Sequence, residues 1–520
     1  MNGQQPGIEQ TAVELESVAA DEPSASQMEH QELDMERVRV DPKWALRIPA
    51  SLALRKQVMP LCKIRDEVIV ACEDIEDQTA KQQLDRILVC ELRLLTAEPK
   101  SLREAIKRVY GNSSTTPGKP PRLAVNDSQM IDSEDAVAIC DELLQAAAMR
   151  GASDIHLTSN DAALIARMRV DGKLETYSRI PSQLQGAVIS RLKVMSGLDI
   201  AEKRAPQDGR FTARIGPDQI KTDIRVATLP TRFGERVTLR ILGGKTTALS
   251  LTNLGMNDRD LSMFRQTISR PHGLVLLTGP TGSGKSTTLY AAIQELLNSR
   301  GGNVITVEDP IEYEMPDVSQ VEIDSADKVS FAKALRSILR HDPDVVMIGE
   351  IRDLETAEIA VKASLTGHLV FSTLHTNTAS GVVTRLTDMG LKPFLIAATL
   401  RLAVAQRLVR RLCDQCRVTR QMSSGEAELL GQPRLAGQNV FEPGGCVYCA
   451  GHGYVGRIAL IECFDCDEDV AKLITEGASE EGLLANARQR KRSLLMDDAI
   501  EKMLTGVTTY QEVLEAVVVW

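Results

Sequence analysis

Aromatic residues are scarce. Two Trp, seven Tyr and eight Phe make up 3% of the 520 residues. Proteins that hold single-stranded nucleic acid stack its bases on such rings, and this chain offers few. No run of 18 or more apolar residues occurs, so no transmembrane helix is expected. The opening "MNGQQPGIEQ" lacks the basic and apolar stretches of a secretory signal, and the chain is expected to stay in the cytoplasm. A basic surplus is missing too. Net charge is −10, and residues 1–36 hold nine acids and neither Lys nor Arg. With those nine set apart, the remainder carries about −1. A folded part so near neutral has no global field for nucleic acid, and no nucleic-acid partner is expected.

What is present is ordinary for a globular protein: 43% apolar and 25% charged residues. The length suits three to four domains. Residues 1–40, acidic and without periodicity, read as a disordered tail. Residues 41–110 read as a small α/β domain, with "DEVIVACED" (66–74) as a buried strand and "PKSLREAIKRVYG" (99–111) as a helix. Breaker residues in "GNSSTTPGKPPRL" mark a linker over 111–128. Residues 129–248 read as an α+β domain, with a hairpin turning at Asp171-Gly172. Residues 249–412 alternate short apolar strands with helices, which argues for a parallel sheet covered on both faces. A Cys-rich stretch follows at 413–456, and helical segments are expected over 457–520.

The strand "GLVLLTG" runs into Gly279-Pro280-Thr281-Gly282-Ser283-Gly284-Lys285-Ser286 and then Thr287, at the start of a helix. This is G-x-x-x-x-G-K-[ST] in the strand–loop–helix setting it requires. Such a loop wraps backbone N–H groups around phosphates at a helix N-terminus. Lys285 is placed to reach the β- and γ-oxygens, and Ser286 to ligate Mg²⁺. Carboxylates stand at the ends of two other strands. "ITVEDPIE" places Glu308 and Asp309, with Glu308 as one water-activating carboxylate, and "VVMIGEIRD" places Glu350 as another, where a Walker B acid would hold the metal shell or orient water. "STLHTN" places His375 at a third strand end, as a γ-phosphate sensor. Strand ends of a doubly wound sheet converge on one crevice.

These segments carry a resemblance. "VEDPIEY", "LRHDPDVVMIGEIRDLETAEIAVKASLTGHLVFSTLHTN" and "AQRLVRRLC" resemble the secretion-superfamily ATPases of the GspE/PilB type, with their motifs in the family's order. The resemblance implies a RecA-like P-loop ATPase core over 249–412, two N-terminal domains (the second PAS-like) and a four-cysteine zinc subdomain. It implies ATP and Mg²⁺ as cofactors and a homohexamer whose neighbouring subunits share each site. It also implies that Arg210 and Arg225 contact nucleotide phosphates across the ring, a role suited to a guanidinium fork. The single short domain at 41–110 looks more like the type II secretion kind than the pilus-assembly kind. It would dock on a membrane-anchored secretion-platform protein, bringing the chain to the cytoplasmic face of the inner membrane beside an inner-membrane platform protein. A nucleic-acid translocase and a non-hydrolysing nucleotide scaffold are the alternatives from other classes.

Cys413, Cys416, Cys446 and Cys449 form C-x₂-C…C-x₂-C. Four thiolates suit a closed, structural Zn²⁺ site. The second half, "GCVYCAGHGYVGR", has His452 where the family pattern has Thr. Cys463 and Cys466 read as small core residues, as do Cys62, Cys72, Cys90 and Cys140.

Overall fold

The computed structural model describes residues 32–111, 133–243, 250–323 and 330–518. The first 31 residues of the expected tail and nearly all of the expected linker lie outside them, as does the boundary at 248.

The first domain is a three-stranded sheet of β1 (Val58–Ile64), β2 (Glu67–Cys72) and β3 (Glu91–Thr96). β1 and β2 are antiparallel, while β2 and β3 are parallel across the helix Gln78–Leu88. The expected tail ends sooner than residue 40. Leu33 bridges to Ala97 beside β3, and Leu33, Met35 and Val38 are buried in this domain's core. Three apolar side chains spaced through an acidic stretch suffice to tie it down, a signal that composition averages away.

The second domain is a six-stranded antiparallel sheet. Its strands are β4 (Asp154–Ser159), β5 (Ala163–Val170), β6 (Lys173–Pro181), β7 (Gln207–Ile215), β8 (Ile220–Thr231) and β9 (Gly234–Leu242). Their order is β6-β5-β4-β9-β8-β7. Asp171 and Gly172 turn the β5–β6 hairpin with φ of 47° and 87°, the left-handed pair that a two-residue turn demands. Helices Ser133–Arg150 and Ser182–Met195 pack together, and their apolar residues share one core with the sheet. Burial alternates along β7 and β8, so the other face of the sheet is open.

The third unit contributes β10 (Gly273–Thr278), β11 (Val304–Glu308), β12 (Ser319–Glu322), β13 (Val345–Ile348), β14 (Leu369–Leu374) and β15 (Leu400–Leu412). Beyond the hairpin of β16 (Val418–Gln421) and β17 (Asn439–Glu442), the chain returns as β18 (Tyr454–Asp465). Seven of these form one sheet, β12-β11-β13-β14-β10-β15-β18. All its neighbours are parallel except β15 and β18. β10, β11, β13 and β14 are buried throughout, because helices cover both faces.

β18 corrects the expectation of a helical 457–520. The segment from Arg457 to Asp465 completes the seven-stranded sheet, and helices begin only at Glu468. The central residues of β18 are buried on both faces, which erases the period-2 alternation that identifies a strand. The Cys-rich unit is therefore an excursion between two strands of the core. Cys463 and Cys466 lie among apolar residues on opposite faces of that sheet, as small core side chains.

Candidate active site

The phosphate loop leaves the C-terminal end of β10. Gly279, Gly282 and Gly284 hold φ of 142°, 77° and 87°. At Gly284 a side chain is excluded twice, since a Cβ would meet Gln406 Nε2 at 2.8 Å and φ is left-handed. Gly284 caps the 16-residue helix Lys285–Arg300 with no side-chain hydrogen bond. The helix's first N–H groups thus face the loop, where phosphate oxygens are the matching acceptors. Ser283 Oγ is buried without a partner in the same cradle, as suits a site built for an oxygen-rich ligand. Lys285 folds back, donating to the carbonyls of Gly279 (2.8 Å) and Pro280 (3.0 Å). Burial pushes its ammonium down to about 8, against the opposing pull of Glu350.

The acids divide in a way the sequence did not show. Glu308 is 4% exposed. Its carboxylate accepts hydrogen bonds from Tyr290, from Thr306 (2.6 Å) and from Gln320 (3.2 Å). A group so engaged braces β11 against the phosphate-loop helix. Four residues on, Glu312 is exposed at the crevice, with its carboxyl near the Ser286 hydroxyl. Crowding by protein atoms raises its carboxyl pKa, while the nearby Ser286 hydroxyl and the charges of Arg240 and Lys285 oppose the rise. Spacing could have singled out Glu312, the second Glu of "EDPIE", but its distance from the strand end hid it.

Glu350 follows β13. One carboxylate oxygen accepts from Arg352, and the other lies 3.6 Å from His375 Nε2 at the end of β14. The Arg352 bond is the main cause that holds Glu350 below the usual carboxylate range, so it stays ionised. Lys285, Glu350 and His375 thus meet at the strand ends.

β15 supplies two neighbours. Gln406 receives a hydrogen bond from Thr288 (2.9 Å), and its carbonyl would touch a Cβ at Gly279. Arg407 is 7% exposed and donates to Asn377 (3.2 Å). Two polar residues interrupting the apolar run "LAVAQRLV" were the available signal.

Arg210 lies away from the loop, on the second domain. It stands opposite Arg225 in the register of β7 and β8, and Arg225 stands opposite Arg240 on β9. Like charges set opposite one another are unfavourable, so this row calls for anions. Arg240 pairs with Asp154 (3.1 Å) and Arg225 with Glu322 of the core (3.3 Å). The structure brings neither Arg210 nor Arg225 into contact with the phosphate loop among the described residues.

The four cysteines converge. Their sulfurs lie within 4.8 Å of one another, with 3.8 Å for Cys413–Cys446, Cys416–Cys449 and Cys446–Cys449. Four thiolates about 2.3 Å from a tetrahedral Zn²⁺ stand roughly 3.8 Å apart. Backbone N–H groups of Gly445 (3.1 Å), Cys446 (3.2 Å) and Gly453 (3.1 Å) point at the sulfurs of Cys416 and Cys449, as they would at thiolates. The donor set fits zinc.

Comparison with known proteins agrees with this geometry. The family model described as Type II/IV secretion system protein matches residues 129–515, and that of the MshEN domain matches 26–116. The chain is 42% identical over 484 residues to the type II secretion system protein E of Pseudomonas aeruginosa, covering 90% of this chain and 95% of that one. It is 39% identical over 491 residues to the type IV pilus assembly ATPase PilB of Myxococcus xanthus, covering 91% and 86%. The crystal structure of the pilus retraction motor PilT with bound ADP superposes with a TM-score of 0.50 at 28% identity, covering 72% and 95%.

Proposed function

The chain belongs to the type II/IV secretion system protein family, and from that premise we propose that its ATP hydrolysis powers pseudopilus assembly and protein export by a type II secretion system. The ATPase activity goes with the family. The observation that carries the motor reading is that Lys285, Ser286, Glu312, Glu350 and His375 lie together at the C-terminal strand ends of the parallel sheet. The near full-length similarity to a type II secretion protein E supports the branch.

In this reading Lys285 and the helix N-terminus neutralise the β- and γ-phosphates. Ser286, with Glu312 close by, would hold Mg²⁺, which when bound would offset phosphate charge. Glu350, kept ionised by Arg352, accepts a proton from the attacking water. His375 faces the γ-phosphate from the end of β14. Glu308 keeps the phosphate-loop helix in register. Arg210 and Arg225 serve the site of an adjoining subunit in a homohexamer, offsetting charge that develops in transfer. Cys413, Cys416, Cys446 and Cys449 hold a structural Zn²⁺. The protein works in the cytoplasm, recruited to the inner membrane through its N-terminal domain by a membrane-anchored platform partner. Among the described residues no helix is long and apolar enough to cross a membrane.

The test is made in the host. With Lys285→Ala in the chromosome, loss of particular exported proteins with pili intact supports the proposal. Loss of pili with secretion intact transfers the chain to pilus extension, a second reading favoured by its similarity to PilB.

A further inference from the structure

We propose that the four-cysteine turn is the seat of the N-terminal domain, and that the metal on it clasps this domain to the motor. The proposal rests on the zinc reading above. The two residues between the ligands Cys446 and Cys449 are Val447 and Tyr448. Val447 is 4% exposed, and it is buried in the core of the N-terminal domain rather than with its own cysteines. Tyr448 and Ala450 pack against that same core, and Arg37 lies over the Tyr448 ring.

The backbones meet as well. Arg39 N–H donates to Val447 O at 3.2 Å. Gly451 passes so close to the end of β1 that a Cβ would stand 2.5 Å from Lys63 O, and its φ of 82° excludes side chains independently. Asp41 at the rim of the contact pairs with Arg150 of the second domain at 2.8 Å, with both side chains under 10% exposed.

The turn that presents Val447 is a single 3₁₀ turn, Val447–Cys449, with Ala450 left-handed behind it. So short a turn has little stability of its own. Four sulfurs drawn to one ion fix both of its ends. Without the ion, four crowded thiols remain, and only a few backbone hydrogen bonds, such as Gly451 N–H to Cys446 O (2.9 Å), hold Val447 at the angle that enters the neighbouring core. Metal occupancy and domain docking are then one equilibrium.

Hydrogen exchange of the full-length protein tests this, read in the peptide that contains Arg39. Stripping zinc with a chelator is expected to speed exchange there at least tenfold. Val447→Asp, which leaves all four cysteines in place, is expected to do the same while the protein retains its zinc. Unchanged exchange in the metal-free chain overturns the clasp, and unchanged exchange in Val447→Asp overturns the seat. A purified chain that carries no zinc overturns the metal reading itself, and Val447→Asp still decides the seat.

Discussion

Glu350 and His375, brought from the ends of β13 and β14, face each other at 3.6 Å, with Arg352 on the far side of the carboxylate. Glu350→Gln keeps the shape and removes the base. Turnover is expected to fall about 100- to 10,000-fold, the usual worth of a positioned general base, with ATP binding retained. Phosphate release and nucleotide binding measured on the same preparation check this. A variant that still turns over at the parent rate removes Glu350 from the mechanism.

Lys285 makes nucleotide binding pH-dependent. Its burial lowers it to about 8, so above that pH the free protein holds much of it neutral. Phosphates favour the ammonium, so binding takes up a proton above about pH 8 and affinity falls as pH rises through that value. Calorimetric titrations in buffers of differing ionisation heat are expected to show more uptake at about pH 9 than at about pH 7. Equal uptake at both would sink this assignment. Lys285→Ala is expected to leave the fold intact and lose at least about 100-fold in turnover.

The two glutamates of "EDPIE" are expected to fail differently. Glu308→Gln replaces an acceptor of three hydrogen bonds by an amide that disputes them, and it lowers the melting temperature. Glu312→Gln leaves melting unchanged and weakens the Mg²⁺ dependence of turnover. Thermal melts and metal titrations of both variants separate the roles, and an exchange of the two phenotypes would reverse them.

Cys413→Ser is expected to lower bound zinc from about one per chain toward none and to loosen residues 413–456. Metal analysis and limited proteolysis read the two effects. A full zinc complement in this variant would remove Cys413 from the ligand set.

Motifs were legible wherever chemistry demands fixed spacing. The phosphate loop, the four cysteines and the strand-end acid and histidine needed no tertiary information. The sequence misled where burial hides periodicity or where a contact is long-range. β18 is buried on both faces and carried no strand signature. Glu308 stands at a strand end, but only packing shows that Tyr290 closes over it. Arg210, Arg225 and Arg240 come from three strands and become one row only through strand register.

β15 runs from Gln406, at the phosphate loop, to Leu412, one residue short of the first cysteine, with its register against β18 shifting between Arg410 and Leu412. At roughly 3.3 Å per residue that is about 20 Å of extended chain. β18 pairs with it along this stretch, while β10 pairs with β15 only as far as Ala405. In the terms of a machine it is a connecting rod, with one end in the combustion chamber and the other bolted to the bracket that carries the N-terminal domain. A displacement made where ATP is cleaved has one continuous strand to travel along to that bracket.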